Sequence, residues 1–117
     1  MEHIGRALQV LERNIILNGA DALSSQGFTQ VPNCVLETDK ISPGAKLTYA
    51  MLLKYAWQND YCFPGQERLA RDMGVTRQSA NTYIKELQTK DFLVVQRRGQ
   101  GKTNIYELNL STKKKKG

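Results

Sequence analysis

The chain has 117 residues, 40% hydrophobic and 24% charged, which is typical of one globular domain with short tails. Its apolar runs are too short to cross a bilayer and its first residues do not resemble a signal peptide, so we expect a cytoplasmic protein. The net charge is +6, but four positive charges are Lys113 to Lys116, so charge alone does not establish a nucleic-acid partner.

The first predicted element is an amphipathic helix over residues 4–17. Its apolar stripe recurs at helical spacing and comprises Ile4, Leu8, Leu11 and Ile15. This stripe could pair with a second copy of the chain, the use that we favour, or pack on the domain's own surface near Trp57. Residues 18–27 are rich in Gly, Ser, Asp and Asn, which predicts a linker, so we separate residues 1–27 from the domain that follows.

Two elements open the main domain, which we place at residues 28–110. The alternation over residues 28–32 predicts a short strand, confined to a sheet edge by Pro32. Ser42 and Pro43 suit the N-cap and first turn of a helix that runs to about Gln58. Asn59 and Asp60 should end this helix, and residues 63–65 predict a turn.

A helix-turn-helix pattern follows. A short helix over residues 66–73 ends at Gly74, which can adopt positive φ, and Thr76 caps a second helix that runs to about Thr89. The inward positions of these helices are Leu69, Ala70, Met73, Ala80, Tyr83, Ile84 and Leu87. Phe92 and Leu93 return to the core.

Two strands complete the pattern. They cover residues 94–98 and 103–110 and are joined by a turn at 99–102. The predicted fold class is therefore α+β: a winged helix-turn-helix, with a three-helix core and a β-hairpin wing, preceded by an extra N-terminal helix.

The outward face of the second helix is the predicted DNA-reading surface. At 100° per residue, Gln78, Asn81, Thr82 and Lys85 lie opposite the apolar positions, and such side chains suit base edges. Arg77 and Ser79 lie in the first turn, where Thr76 and the helix dipole favour a phosphate. The alternative is an ordinary solvated face, but Glu86 is the single acid between Thr76 and Thr89.

The hairpin carries a second basic group. Arg97, Arg98 and Lys102 surround two glycines at its tip, which is typical of a wing that follows the DNA backbone or minor groove. The alternative is an exposed hairpin that its charges keep soluble. The order of elements favours the wing.

Four stretches carry a resemblance to winged helix-turn-helix domains of bacterial, plasmid and phage proteins. They read VPNCVLE, LTYAMLLKYAWQND, CFPGQERLARDMGVTRQSANTYIKELQTKDFLVV and GKTNIYELNL. The sequence is most similar to N-terminal domains of some replication initiators and related phage regulators. The resemblance implies double-stranded DNA binding through the reading helix and the wing. One departure is Gly65, where such domains often carry a Ser or Thr cap.

The sequence contains few of the residues that a metal site or a catalytic site would need. His3 is the single histidine, and Cys34 and Cys62 form no CxxC pair, so we expect no zinc site, no cofactor and no disulfide. Gln96 stands where a phosphate loop ending in Gly101-Lys102-Thr103 would need its first glycine. The carboxylates are scattered, so we do not expect an enzyme or a small-molecule substrate.

Two classes of function therefore remain. The first is sequence-specific binding of double-stranded DNA, in transcription regulation or in plasmid or phage replication initiation. The protein could bind DNA in this way as a homodimer. The second is a winged-helix protein-interaction module without DNA affinity. The reading helix carries no large exposed apolar residue of the kind that protein interfaces usually need, which counts against this alternative. Residues 111–117 form a basic tail that we expect to be disordered, and it could add non-specific DNA affinity.

Overall fold

The structure is a computed structural model that describes residues 15–19, 25–58, 63–101 and 104–110. Its elements are α1 (Asn33–Glu37), α2 (Pro43–Gln58), α3 (Gln66–Met73), α4 (Arg77–Thr89), β1 (Leu93–Gln96) and β2 (Ile105–Leu108). The predicted helices from residue 43 onward therefore occur within the predicted bounds. The described helices include none long and apolar enough to cross a membrane.

The core lies where α2, α3, α4 and the hairpin meet. Its largest fully buried side chains are Tyr49, Phe92, Leu69, Leu87, Leu93, Val35 and Thr48. Tyr49 and Phe92 meet edge to face with ring centroids 6.3 Å apart. The Tyr49 hydroxyl donates to the carbonyl oxygen of Asn109 at 2.5 Å, so this phenol also ties α2 to the chain after β2. The predicted return of Phe92 and Leu93 to the core is confirmed.

Ser42 stabilises the start of α2 through its side chain and its backbone carbonyl. Ser42 Oγ accepts from the Ala45 N–H at 3.2 Å and the Ser42 carbonyl accepts from the Lys46 N–H at 3.0 Å, which confirms Ser42 as the N-cap. Gly44 in the first turn lies against the ring of Tyr83 on α4, so closely that a Cβ atom would overlap that ring. The N-terminal end of α2 therefore packs directly on α4.

The segment before α2 corrects the predicted edge strand. Residues 28–32 are irregular, and the chain instead forms α1 immediately afterwards. Pro32 occupies its N-cap, and its carbonyl accepts from the Val35 N–H at 3.0 Å. Val35 is fully buried, and Lys46 Nζ donates to the Leu36 carbonyl at 2.8 Å. Burial of Val35 in the core and the hydrogen bond from Lys46 thus stabilise a helix that five residues would not form alone.

The N-terminal prediction is wrong for its described part. Residues 15–19 are irregular, so the predicted helix does not extend through Ile15, Ile16 and Leu17. These side chains are exposed, and an exposed segment lacks the packing that stabilises most helices. Ile4, Leu8 and Leu11 lie outside the described residues. Within the predicted linker, Ser25 and Gln26 have helical backbone.

The hairpin is shorter than predicted. The strands β1 and β2 are antiparallel, with Leu93 opposite Leu108 and Gln96 opposite Ile105. The prediction extended β1 to Arg98 and β2 from 103 to 110, but the pairing ends at Gln96 and Ile105. Arg97 and Arg98 follow the last paired residue of β1, and Gly99 and Gly101 adopt positive φ in the turn beyond them.

Candidate nucleic-acid interface

The turn between α3 and α4 fixes the angle of the two helices. Gly74 adopts the left-handed conformation at φ 75° and ψ 32°, and its N–H donates to the carbonyls of Ala70 and Arg71. Val75 N–H also donates to the Ala70 carbonyl at 3.0 Å. Ala70 is buried, so its small side chain lets the helices approach. The predicted role of Gly74 as the end of α3 is confirmed.

The first turn of α4 begins at the predicted cap. Thr76 Oγ1 accepts from the Ser79 N–H at 3.0 Å, and the two hydroxyls are hydrogen-bonded at 3.1 Å. The first turn contains no acidic residue, so the positive end of the helix dipole is not neutralised within α4. This end of α4 consequently favours an anion.

The exposed face of α4 is polar along its length. Gln78, Thr82 and Lys85 are exposed, whereas Ala80, Ile84 and Leu87 are buried on the opposite side. Thr82 Oγ1 donates to the Gln78 carbonyl at 3.0 Å, which holds that hydroxyl close to the helix. The predicted division of α4 into an inner and an outer face is therefore present in the structure.

Asn81 differs from the other residues of this face because it is half-buried. Its Oδ1 accepts from Gln66 Nε2 of α3 at 3.3 Å. With that bond in place, Asn81 can present its amide N–H groups outward and Gln66 its carbonyl oxygen. Sequence reasoning missed Gln66, since two residues fifteen apart on different helices give no periodic signal.

The acidic residue of α4 points away from this face. Glu86 Oε2 accepts from the Ser42 N–H at 2.6 Å and Oε1 accepts from Ser42 Oγ at 2.7 Å. Both contacts are partly buried. The carboxylate therefore stabilises the start of α2 and leaves the exposed face of α4 without a negative charge.

Arg77 has a partner that the sequence did not reveal. Its Nη1 lies 3.6 Å from Glu67 Oε2 in the first turn of α3. Both side chains are exposed, so this ion pair contributes little to stability. It instead gives Arg77 a weak partner that a phosphate could replace.

The predicted basic wing is only partly described. Arg97 and Arg98 are exposed and follow the last paired residue of β1, while Lys102 lies outside the described residues. Gln96 Nε2 donates to Glu107 Oε2 at 2.9 Å, so an acidic residue also lies on this hairpin. The positive charge of the wing is thus concentrated beyond the ladder.

The described residues include no group of three or more His, Cys, Asp or Glu side chains that could hold a metal ion. Cys34 is an exposed free cysteine whose Sγ lies 3.3 Å from the Leu110 carbonyl, and Cys62 lies outside the described residues.

Comparison with known proteins agrees with this architecture. Residues 39–93 match a family model described as "Helix-turn-helix domain". A solved structure titled "N-Terminal domain of DNA binding protein" is similar, with a TM-score of 0.58, 19% identity, and coverage of 83% of this chain and 84% of that chain. A search of the curated proteins found no match. The predicted α+β layout of a winged helix-turn-helix is confirmed.

Proposed function

From the winged helix-turn-helix domain that this chain carries, we propose that it binds double-stranded DNA sequence-specifically, with α4 in the major groove. The exposed face of α4 carries the proposal. It presents Gln78, Thr82 and Lys85 while its acid, Glu86, is bound to Ser42. A surface helix without an outward acid is compatible with close approach to phosphates.

Base reading is assigned to four residues of α4: Gln78, Asn81, Thr82 and Lys85. Gln78 can pair with adenine through both ends of its amide, and Lys85 can donate to guanine. Asn81 would read with Gln66, because their hydrogen bond occupies the Asn81 oxygen that a bidentate adenine contact needs. Gln66 therefore joins the proposed reading surface.

Contacts with the DNA backbone are assigned to two places, the start of α4 and the wing. Arg77, with Thr76 and Ser79 at the start of α4, would approach one phosphate, and Arg77 would exchange the Glu67 carboxylate for it. Arg97, Arg98 and Lys102 would follow the neighbouring backbone or minor groove. These contacts supply affinity without sequence information.

The chain would act as a homodimer that reads two half-sites. Of the stripe that led to this expectation, Ile4, Leu8 and Leu11 lie outside the described residues, and Ile15 is exposed and not helical. The genetic role of the chain would be transcription regulation or initiation of plasmid or phage replication. Either role requires the compartment that holds the DNA, which agrees with the cytoplasmic location expected from the sequence.

Selection from a random-sequence duplex pool at two salt concentrations tests the function. An enriched sequence with salt-sensitive affinity is expected, and a palindrome with two half-sites would support the dimer. The genomic position of the enriched site, at a promoter or at an origin, would distinguish the two roles. Absence of binding at low salt would refute the proposal and favour the protein-interaction alternative.

Matched variants separate the assigned roles. Lys85→Gln should change the selected base at one position, whereas Arg97→Ala with Arg98→Ala should weaken binding to every sequence. Lys46→Gln removes the same charge as Lys85→Gln but in α2, where Lys46 Nζ donates to the Leu36 carbonyl of α1. This control should retain the wild-type base preference. An altered preference for the wing variant alone would contradict the assignment.

A further inference from the structure

An apolar groove lies beside the C-terminal end of α2. Its volume is about 820 Å³, and its walls include Leu53, Ala56 and Trp57 from α2, Val31 and Pro32 before α1, and Leu110 after β2. Among the described residues, no charged side chain lines it. Trp57 is 72% exposed and Leu110 60% exposed, so two large apolar side chains face solvent here. Contiguous exposed apolar surface of this kind marks an interaction site.

A second exposed apolar feature lies at the other end of the described chain. Ile15 is 83%, Ile16 49% and Leu17 78% exposed. The sequence places the uncharged Asn14 and Asn18 on either side. Three adjacent apolar side chains with neutral flanks match a groove that has no charged lining, because neither surface would leave a charge buried without a partner.

We propose that Ile15–Leu17 of a second copy of this chain occupy the groove, and that the exchange is reciprocal. The proposal deepens the dimer named under the proposed function. The structure favours a second copy over the chain's own segment, since Ile15 to Leu17 are exposed and none of them lines their own groove. Reciprocal exchange forms two identical contacts and closes the assembly at two chains.

The chain geometry permits this exchange. Gln58 Nε2 donates to the Phe28 carbonyl at 3.5 Å, so the backbone at Phe28 lies beside the end of α2 that carries the groove. Leu17 precedes Phe28 by eleven positions, and a fully extended chain of eleven residues spans at most about 36–40 Å. The segment can therefore reach a neighbouring molecule.

The groove is also remote from the proposed DNA surface. Ser42 and Gly44 at the start of α2 contact α4, whereas Trp57 is four helical turns further along. At 1.5 Å per residue this separation is about 22 Å. Occupation of the groove would consequently leave α4 accessible to DNA.

Sedimentation equilibrium on the full chain without DNA tests the proposal, with tryptophan fluorescence as a second readout. One chain has a mass of 13.2 kDa, and Trp57 is the single tryptophan, so its emission reports directly on the groove. With rising concentration, the wild type should approach twice this mass while its emission moves to shorter wavelength.

Two variants remove opposite halves of the contact. Ile15→Lys with Leu17→Lys alters the segment, and Leu110→Lys alters the groove at an exposed position that a lysine can occupy in the monomer. Each should weaken dimerisation at least about tenfold, because an ammonium group would enter an apolar contact. Leu47→Lys is the matched control, since Leu47 is 47% exposed on α2 but does not line the groove.

An equimolar mixture of the segment and groove variants should associate more strongly than either alone, because one of the two exchanges is intact in the mixed dimer. Three results would overturn the proposal: a monomeric wild type, a dimer that the segment variant retains, or a monomer whose short-wavelength emission does not depend on concentration. The last result would show docking within one chain. Since DNA is absent, these outcomes are independent of DNA binding.

Discussion

The contact between Glu86 and Ser42 yields the sharpest stability prediction. In a capping box, the third residue of a helix carries a Glu or Gln whose side chain accepts from the N-cap N–H. In α2 that position is Ala45, which is fully buried. Glu86 of α4 supplies the missing acceptor at 2.6 Å, so a residue of α4 completes the cap of α2, and we call this arrangement the shared cap.

The magnitude follows from the two hydrogen bonds. A hydrogen bond to a charged group contributes about 1.5–3 kcal/mol and a neutral one about 0.5–1.5 kcal/mol. Glu86→Gln keeps the shape but removes the charge and leaves one acceptor oxygen, so the second contact persists only if the Ser42 hydroxyl accepts from the new NH2 group. We expect a loss of about 1–2 kcal/mol in the free energy of unfolding. Glu86→Ala removes both acceptors and leaves the Ser42 N–H to water, so we expect about 3 kcal/mol.

Urea unfolding followed by circular dichroism measures these differences. Glu37→Gln is the control for loss of one negative charge, because Glu37 is an exposed residue of α1. It should lie within about 0.5 kcal/mol of the wild type. Values for Glu86→Ala inside the same range would refute the shared cap. Since Glu86 contacts α2, neither variant should change the base preferred by α4.

Three further predictions concern single positions. Gly65→Ala should cost about 1–3 kcal/mol in unfolding free energy, measured in urea, because φ 115° and ψ 164° lie in a region that glycine alone adopts readily; an unchanged midpoint would contradict this. Gly44→Ala should cost about 1–3 kcal/mol by overlap with Tyr83, and less than this when Tyr83→Ala is already present. The third concerns stability in acid. The hydrogen bond from the Tyr55 hydroxyl lowers the pKa of the Asp72 carboxyl below its ordinary value of 3.8. The ionised carboxylate therefore stabilises the fold above that pH, and this contribution is lost as the pH falls below it. The stability difference between wild type and Asp72→Asn should therefore be constant above about pH 5 and shrink on acidification, and a difference that does not vary with pH would exclude this assignment.

The helix-turn-helix was predictable because its boundaries are local. Gly74 ends α3 through a backbone conformation that glycine tolerates, and Thr76 starts α4 through a side chain that caps its own helix. Neither effect requires a distant partner. Residue spacing alone was therefore sufficient to locate both helices within the predicted bounds.

The elements and site residues that were missed depend on distant contacts. Helix α1 is stabilised by burial of Val35 and by Lys46, neither of which a local pattern reveals. The pairs formed by Gln66 with Asn81 and by Glu67 with Arg77 likewise join two helices. Gly65 was read as a missing side-chain cap, whereas its positive φ accounts for the glycine.

The geometry of α2 separates the two proposed tasks of the protein. Its first turn is bound to α4 through Glu86 and Tyr83, and its last turn carries Trp57 in the groove. A helix is a rigid connection over this length, so the groove at Trp57 lies at a set distance from α4 of the same chain. If both proposals hold, substitutions in the groove would alter dimerisation and substitutions on the exposed face of α4 would alter the sequence of each half-site, and neither set would produce the effect of the other.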